Sequence, residues 1–184
     1  RRLAKSEDGE GCLRALKELS QNETFRLEKP NLELLMKWTL ESDINRNILS
    51  NSLYILRSLC EREPRVTNFE CGFIVSDDRI EELLLRGLQE NDDTQGETIL
   101  LLKELVRVQK DVMSTRIYGN EKLRQRMLAI IQGNNSTYNH TILEIVGEIV
   151  SENQKLQELF GDPLVHFLAG DIGGDGFEEG ILGC

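Results

Sequence analysis

The amino-acid sequence predicts an all-α fold, a helical solenoid built from about four repeated units. Four segments share one apolar pattern and end on the apolar anchors Leu19, Leu59, Leu105 and Ile149. The anchors follow one another at intervals of 40, 46 and 44 residues. Each segment is followed, after a break, by a second amphipathic helix. A recurrence of this length is typical of solenoids, in which each unit buries its apolar face against its neighbours.

The N-terminal part of the chain begins with a mostly polar segment, residues 1–9, which we expect to be flexible. The first three helices are then predicted over 11–25, from Asn31 onward, and over 44–63. Pro30 favours the start of the second helix, because its fixed φ angle suits a first helical turn. Pro64 ends the third helix, because an interior proline removes a backbone hydrogen bond.

The middle of the chain is predicted to hold one short segment and three helices. Residues 65–76 fit either a short helix or a packed loop. The cluster Ser76-Asp77-Asp78 is typical of a helix N-cap and opens a helix that extends through Leu88. The two following helices are predicted over 95–113 and 121–132.

The C-terminal part is predicted to contain a long helix over 138–151 and a short one over 164–169, opened by Pro163. The glycine-rich stretch 170–177 resembles a loop, and 178–184 resembles the first turns of another repeat helix. We therefore expect one domain over 10–184, preceded by the flexible segment 1–9. Its last repeat is incomplete, as in a longer protein cut within a repeat.

One continuous core is expected, because stacked repeats bury their apolar faces against one another. The residues predicted to be buried are Leu16, Leu19, Leu35, Leu56, Leu59, Leu84, Leu102, Leu105, Ile131, Val146 and Ile149.

The charge and cysteine content narrow the range of functions. The formal net charge is −10, with acidic residues spread along the chain, which disfavours direct binding of nucleic acid. No stretch approaches the length of a membrane-spanning helix. The four cysteines form no CxxC pair and no metal-like spacing with histidine, so free thiols in an intracellular protein, cytoplasmic or nuclear, are expected.

The order of long helix, break and short helix resembles the armadillo-like repeat superfamily, which implies a right-handed solenoid. In that family one helix of each repeat lines a concave groove, and peptide-binding members carry an asparagine between the two apolar anchors of that helix. The matching positions here hold Glu18, Ser58, Glu104 and Glu148 instead. One turn earlier stand Arg14, Tyr54, Leu100 and Glu144. The resemblance thus implies a groove with an acidic column in place of the asparagine ladder.

These patterns favour a non-enzymatic scaffold, without cofactor or metal, that binds a protein partner. We expect contact with a basic or amphipathic helical segment near Tyr54, Ser58, Leu100, Glu104, Glu144 and Glu148. Two alternatives remain open. One is a self-associating domain that forms a homodimer, and the other is a hydrolase with Cys71 as its nucleophile beside a histidine.

Overall fold

The computed structural model describes residues 7–22, 24–40, 45–61, 69–90, 93–133, 136–151 and 153–174. Within these segments the chain forms ten α-helices and no strand, which confirms the all-α class. In chain order the helices are α1 (Glu7–Ser20), α2 (Lys29–Thr39), α3 (Arg46–Cys60), α4 (Phe69–Ser76), α5 (Ile80–Gln89), α6 (Asp93–Val108), α7 (Lys110–Gly119), α8 (Glu121–Ile131), α9 (Ser136–Val150) and α10 (Gln154–Gly174).

The four helices that carry the repeated segments form one layer, the long-helix layer, which consists of α1, α3, α6 and α9. Each packs against the next in that order. Behind them α5 packs against α8, and α8 against α10. These helices meet the long-helix layer where α5 contacts α6 and α8 contacts α9, and α2 also packs against α3. Helices separated by a whole repeat in sequence are therefore direct neighbours in space.

The first two helices of the long-helix layer, α1 and α3, run in the same direction, as the polar contacts between them demonstrate. Near the start of α1, Glu10 accepts a hydrogen bond from Asn45, the N-cap residue of α3, at 2.9 Å. Farther along both helices, Lys17 donates to Asn51 at 3.2 Å. In this pair the start of one helix meets the start of the next, and the contacting residues are staggered by five to six positions relative to the anchors Leu19 and Leu59.

The fourth helix settles the ambiguity of segment 65–76, since residues 69–76 are helical.

The prediction of one helix over 95–113 is wrong. Gln109 has φ −135° and ψ 51°, which lies outside the helical region and separates α6 from α7. This break turns Met113 and Ile117 into the core, where both are fully buried.

The last helix also differs from the prediction. We expected a short helix opened by Pro163 and a loop over 170–177, but α10 extends without interruption from Gln154 to Gly174 and contains Pro163. Leu156 and Phe160 are buried one turn apart. Their packing starts the helix well before the proline. The helix predicted over 178–184 lies outside the described residues.

Nine of the eleven residues predicted to be buried are buried, whereas Leu16 is partly buried and Leu19 is 50% exposed. The prediction for Leu19 is wrong because α1 packs chiefly on α3, whereas Leu59 and Leu105 lie in helices flanked on both sides. Leu13 takes the inner position in α1 instead. This helix begins at Glu7, inside the segment 1–9 for which flexibility was expected, and residues 1–6 lie outside the described part.

Candidate functional site

The six residues predicted to contact a partner lie in pairs on three neighbouring helices of the long-helix layer. Tyr54 and Ser58 belong to α3, Leu100 and Glu104 to α6, and Glu144 and Glu148 to α9. The pairs on α3 and α6 are partly buried, and both glutamates of α9 are exposed. Because successive long helices pack side by side, these positions follow one another across the layer.

The aromatic ring of Tyr54 is surrounded by cations from two helices. The Lys17 ammonium of α1 lies 4.5 Å from the ring centroid, and the Arg57 guanidinium lies 5.0 Å from it. Both distances are within the range of cation–π attraction. Lys17 and Arg57 therefore hold the ring of Tyr54 in place within the layer, where it remains partly exposed.

A row of cations, Lys17, Arg57 and Lys103, crosses the same layer. Each stands two residues before an anchor leucine and bonds to the following long helix. Lys17 reaches Asn51. Arg57 donates to Glu97 at 2.7 Å, and Lys103 donates to Glu144 at 2.6 Å. We call these three residues the basic row.

The basic row was not predicted, although the sequence contains its signal. A cation stands at the same offset from the anchor in the tripeptides Lys17-Glu18-Leu19, Arg57-Ser58-Leu59 and Lys103-Glu104-Leu105. The prediction used the residue between cation and anchor and the residue one turn earlier, and it did not use the cation. The fourth repeat departs from this series, because Gly147 occupies the equivalent position in α9.

Cations within the chain neutralise part of the acidic charge that was expected at the predicted contact residues. Glu104 has only 16% of its side chain exposed and is paired with Arg107 of its own helix at 2.7 Å. Glu144 is bound by Lys103 of α6 and lies 3.2 Å from His140. Two of the three predicted glutamates therefore have their charge compensated within the chain, and the exposed Glu148 completes the acidic side of the layer.

Two groups in this region have perturbed pKa values. The hydrogen bond and charge of Lys103 lower the pKa of Glu144 below its ordinary value. Burial alone would lower the pKa of Arg57, but its bonds to Glu97 and Glu61 outweigh burial and raise the pKa. Both groups therefore keep their charges near neutral pH.

Carboxylates are exposed at both ends of the layer. The α1 end presents Glu18 beside the partly buried Lys17, and the α9 end presents Glu144 and Glu148. Such a surface can hold an extended or helical peptide through apolar contacts at Tyr54 and through its charges.

The reactive side chains considered in the sequence occupy different places. Cys71 is fully buried and hydrogen-bonds the thiol of Cys60, whereas His140 is exposed and lies beside Glu144. In the part of the chain that the structure describes, no group of three or more His, Cys, Asp and Glu side chains could hold a metal ion. None of the helices in that part is both long enough and apolar enough to cross a membrane.

Comparison with known proteins identifies no family for this chain. No protein-family model matches the sequence, and a search of the curated proteins finds no match either. The candidate surface therefore rests on the geometry of the long-helix layer alone.

Proposed function

We propose that this chain is a non-enzymatic scaffold, an armadillo-like right-handed solenoid of about four repeats that belongs to a larger intracellular protein. In this proposal a protein partner binds across the long-helix layer, near Tyr54, Ser58, Leu100, Glu104, Glu144 and Glu148. The spacing of the four cysteines is not typical of a disulfide framework, which favours the intracellular location.

The observation that carries the proposal is the side-by-side packing of α1, α3, α6 and α9. When parallel helices repeat at a regular interval, equivalent residues form columns across them, and a partner segment meets several columns at once. A protein of this kind acts through an extended surface and needs no catalytic group. The proposed partner is a basic or amphipathic helical segment whose cations face Glu148 of α9, since Lys103 already pairs with Glu144.

Site-specific photo-crosslinking tests where the partner binds. A photoreactive amino acid at Glu148 should capture a partner in an extract of the cells that express the protein, because this side chain is exposed beside the proposed surface. The matched control position is Glu158, an equally exposed glutamate on α10. Capture from Glu158 but not from Glu148 would show that partners bind near α10 and not across the long-helix layer.

Charge reversal tests the chemistry of binding once the captured partner has been purified. Glu148→Lys should slow association by about tenfold at low salt, because like charges then face each other. Glu158→Lys should leave the association rate unchanged. If both variants bind as fast as the parent and the rate does not depend on salt, the proposed acidic contact is wrong.

A second candidate function, homodimerisation, has its own support in exposed apolar side chains outside the long-helix layer. Leu34 of α2 and Phe69 of α4 are 43% and 54% exposed, and these two helices pack against each other. A dimer that buries this face would remove apolar surface from water. Light scattering distinguishes the two functions: a dimer that Leu34→Glu converts to a monomer supports self-association, and a monomeric parent contradicts it.

A further inference from the structure

Two cysteines that are unrelated by any sequence motif meet in the interior. Cys60 is the last residue of α3, and Cys71 is the third residue of α4, with residues 61–70 between them. Both are fully buried, and their thiols hydrogen-bond each other. The contact is produced by the packing of α4 on α3.

The surroundings of the Cys60 thiol favour its protonated form. The hydrogen bond with Cys71 and burial raise the pKa of the Cys60 thiol well above its ordinary value, and the carboxylates of Glu104 and Glu70 act in the same direction. Glu70 is itself only 5% exposed and lies 3.8 Å from Arg26. In the closed fold both thiols are therefore shielded from solvent, and the Cys60 thiol is a poor nucleophile.

We infer that Cys60 and Cys71 are an oxidisable dithiol, which closes to an intrachain disulfide between α3 and α4 when a small disulfide such as oxidised glutathione reaches it. Sulfur atoms already in hydrogen-bond contact need only side-chain rotation and a small backbone adjustment to reach the S–S bond length of about 2 Å. The inference does not depend on the proposed scaffold function.

The reaction is two successive thiol–disulfide exchanges. The thiolate of Cys71 attacks one sulfur of the small disulfide, which forms a mixed disulfide and releases one small thiolate. Cys60 then attacks the sulfur of Cys71 and displaces the second small thiolate. The protein is oxidised by two electrons, the small disulfide is reduced to two thiols, and the two protons of the cysteines leave on those thiols.

Burial sets the rate of this reaction. An oxidant can reach the pair only when α4, a helix of eight residues, opens away from α3. Cys12, by contrast, is exposed on α1 and serves as an internal reference. In the native protein Cys60 and Cys71 should react with a thiol reagent at least about a hundredfold more slowly than Cys12.

The test uses the full chain with Cys12→Ser and Cys184→Ser, so that Cys60 and Cys71 are its only thiols. It is incubated with oxidised glutathione in buffer and in urea below the unfolding midpoint. We expect a loss of about 2 Da and a non-reduced peptide that links Cys60 to Cys71, both reversed by dithiothreitol. Urea should accelerate closure, because it populates the open form of α4.

The control is Cys71→Ala in the same background, which should stop at a glutathione adduct on Cys60. Should this variant fail to fold, the peptide map of its parent still decides the question. Adducts on the parent that persist without a Cys60–Cys71 linkage, or no oxidation even in urea, would overturn the inference. An oxidised protein that melts at a lower temperature than the reduced one would also contradict it, because it would show that the bond does not fit the native packing.

Discussion

Equivalent leucines in successive repeats differ sharply in burial, and this difference predicts how much each one contributes to the free energy of unfolding. Leu59 of α3 is fully buried, whereas Leu19 at the same repeat position of α1 is 50% exposed. Leu59→Ala should lower the free energy of unfolding by about 2–5 kcal/mol, since it leaves a cavity between packed helices. Leu19→Ala should cost less than about 0.5 kcal/mol. Urea denaturation of both variants measures the contrast, and equal losses would show that Leu19 is buried in solution.

Close packing of α5 against α6 at a glycine gives a second prediction for single residues. A methyl group at Gly87 would overlap the side chain of Thr98, which is fully buried and hydrogen-bonded to the backbone of Thr94. Gly87→Ala should therefore destabilise the protein by about 1–3 kcal/mol.

The control for this substitution is Gly147→Ala in α9. A methyl group there meets no other atom within 4 Å. It should stabilise the protein by about 0.5–1 kcal/mol, because alanine has the higher helix propensity. Thermal unfolding of both variants should shift in opposite directions, and two shifts of the same sign would exclude the close contact at Gly87.

At the residue scale, helical periodicity predicted most of the core but not which leucine of α1 faces inward. Periodicity identifies an apolar face, and Leu13, Leu16 and Leu19 all belong to it. The side of that face that a neighbour covers depends on α3 alone, which no local pattern reveals. The ion pairs of Glu104 and Glu144 were not predicted for a similar reason, because Arg107 and Lys103 reach them from positions that no local pattern connects with them.

The link between α4 and α5 is stabilised by a carboxylate that holds both the backbone and a side chain. Asp77 accepts a hydrogen bond from the backbone N–H of Arg79 at 2.9 Å and two from its guanidinium at 2.8 and 2.6 Å. The bond to the Arg79 side chain lowers the pKa of Asp77 below its ordinary value of 3.8. A carboxylate with a lowered pKa stabilises the fold only while it is ionised.

Substitution of Asp77 should therefore have a pH-dependent effect. Asp77→Asn should lower the free energy of unfolding by about 1 kcal/mol at pH 7, because it removes a charge-assisted bond and keeps the amide oxygen as an acceptor. The full difference should be present above the pKa of the unfolded chain, about 3.9. It should vanish as the pH falls through the lower pKa of the folded protein. Denaturant unfolding between pH 2 and 7 measures it, and a constant difference would contradict the role of ionisation.

The structure contains nearly every helix that was predicted within its described residues, yet two boundaries could not be placed from sequence. The residues around Gln109 have no proline or glycine, so the pattern of 95–113 reads as one helix. The break arises because Met113 and Ile117 are buried against other helices, which is a tertiary effect. Pro163 is the reverse case, since proline commonly opens a helix but here lies within α10.

Across the whole molecule, unequal flanking of the long helices predicts unequal local stability. The α1 helix packs chiefly on α3, whereas α3 lies between α1 and α6 and also contacts α2 and α4. In hydrogen exchange followed by mass spectrometry, amides of α1 should exchange at least about tenfold faster than those of α3, because fewer contacts must break to expose them. Equal protection of the two helices would indicate that the layer opens only as one cooperative unit.

The architecture at this scale could be predicted because the repeat interval is a property of the whole sequence. The spacing of Leu19, Leu59, Leu105 and Ile149 identified the four helices that pack together in the long-helix layer. The contact between Cys60 and Cys71 could not be predicted in the same way. This contact joins a long helix to a short one, and no repeated sequence pattern predicts it.

A polar contact from each residue of the basic row links one long helix to the next. These contacts determine which whole repeat units could be deleted without the loss of a link. Each cation leaves its helix at the same offset from the anchor and bonds to a polar residue of the next helix. Asn51 and Glu97 both stand eight residues before an anchor leucine, so deletion of the unit that contains α3 would bring Lys17 opposite Glu97. Glu144 stands five residues before Ile149, so deletion of the unit that contains α6 would not restore a contact of the same register. Gly147 has no side chain that could form such a contact, so a repeat unit placed after α9 would have to be linked to it by other residues.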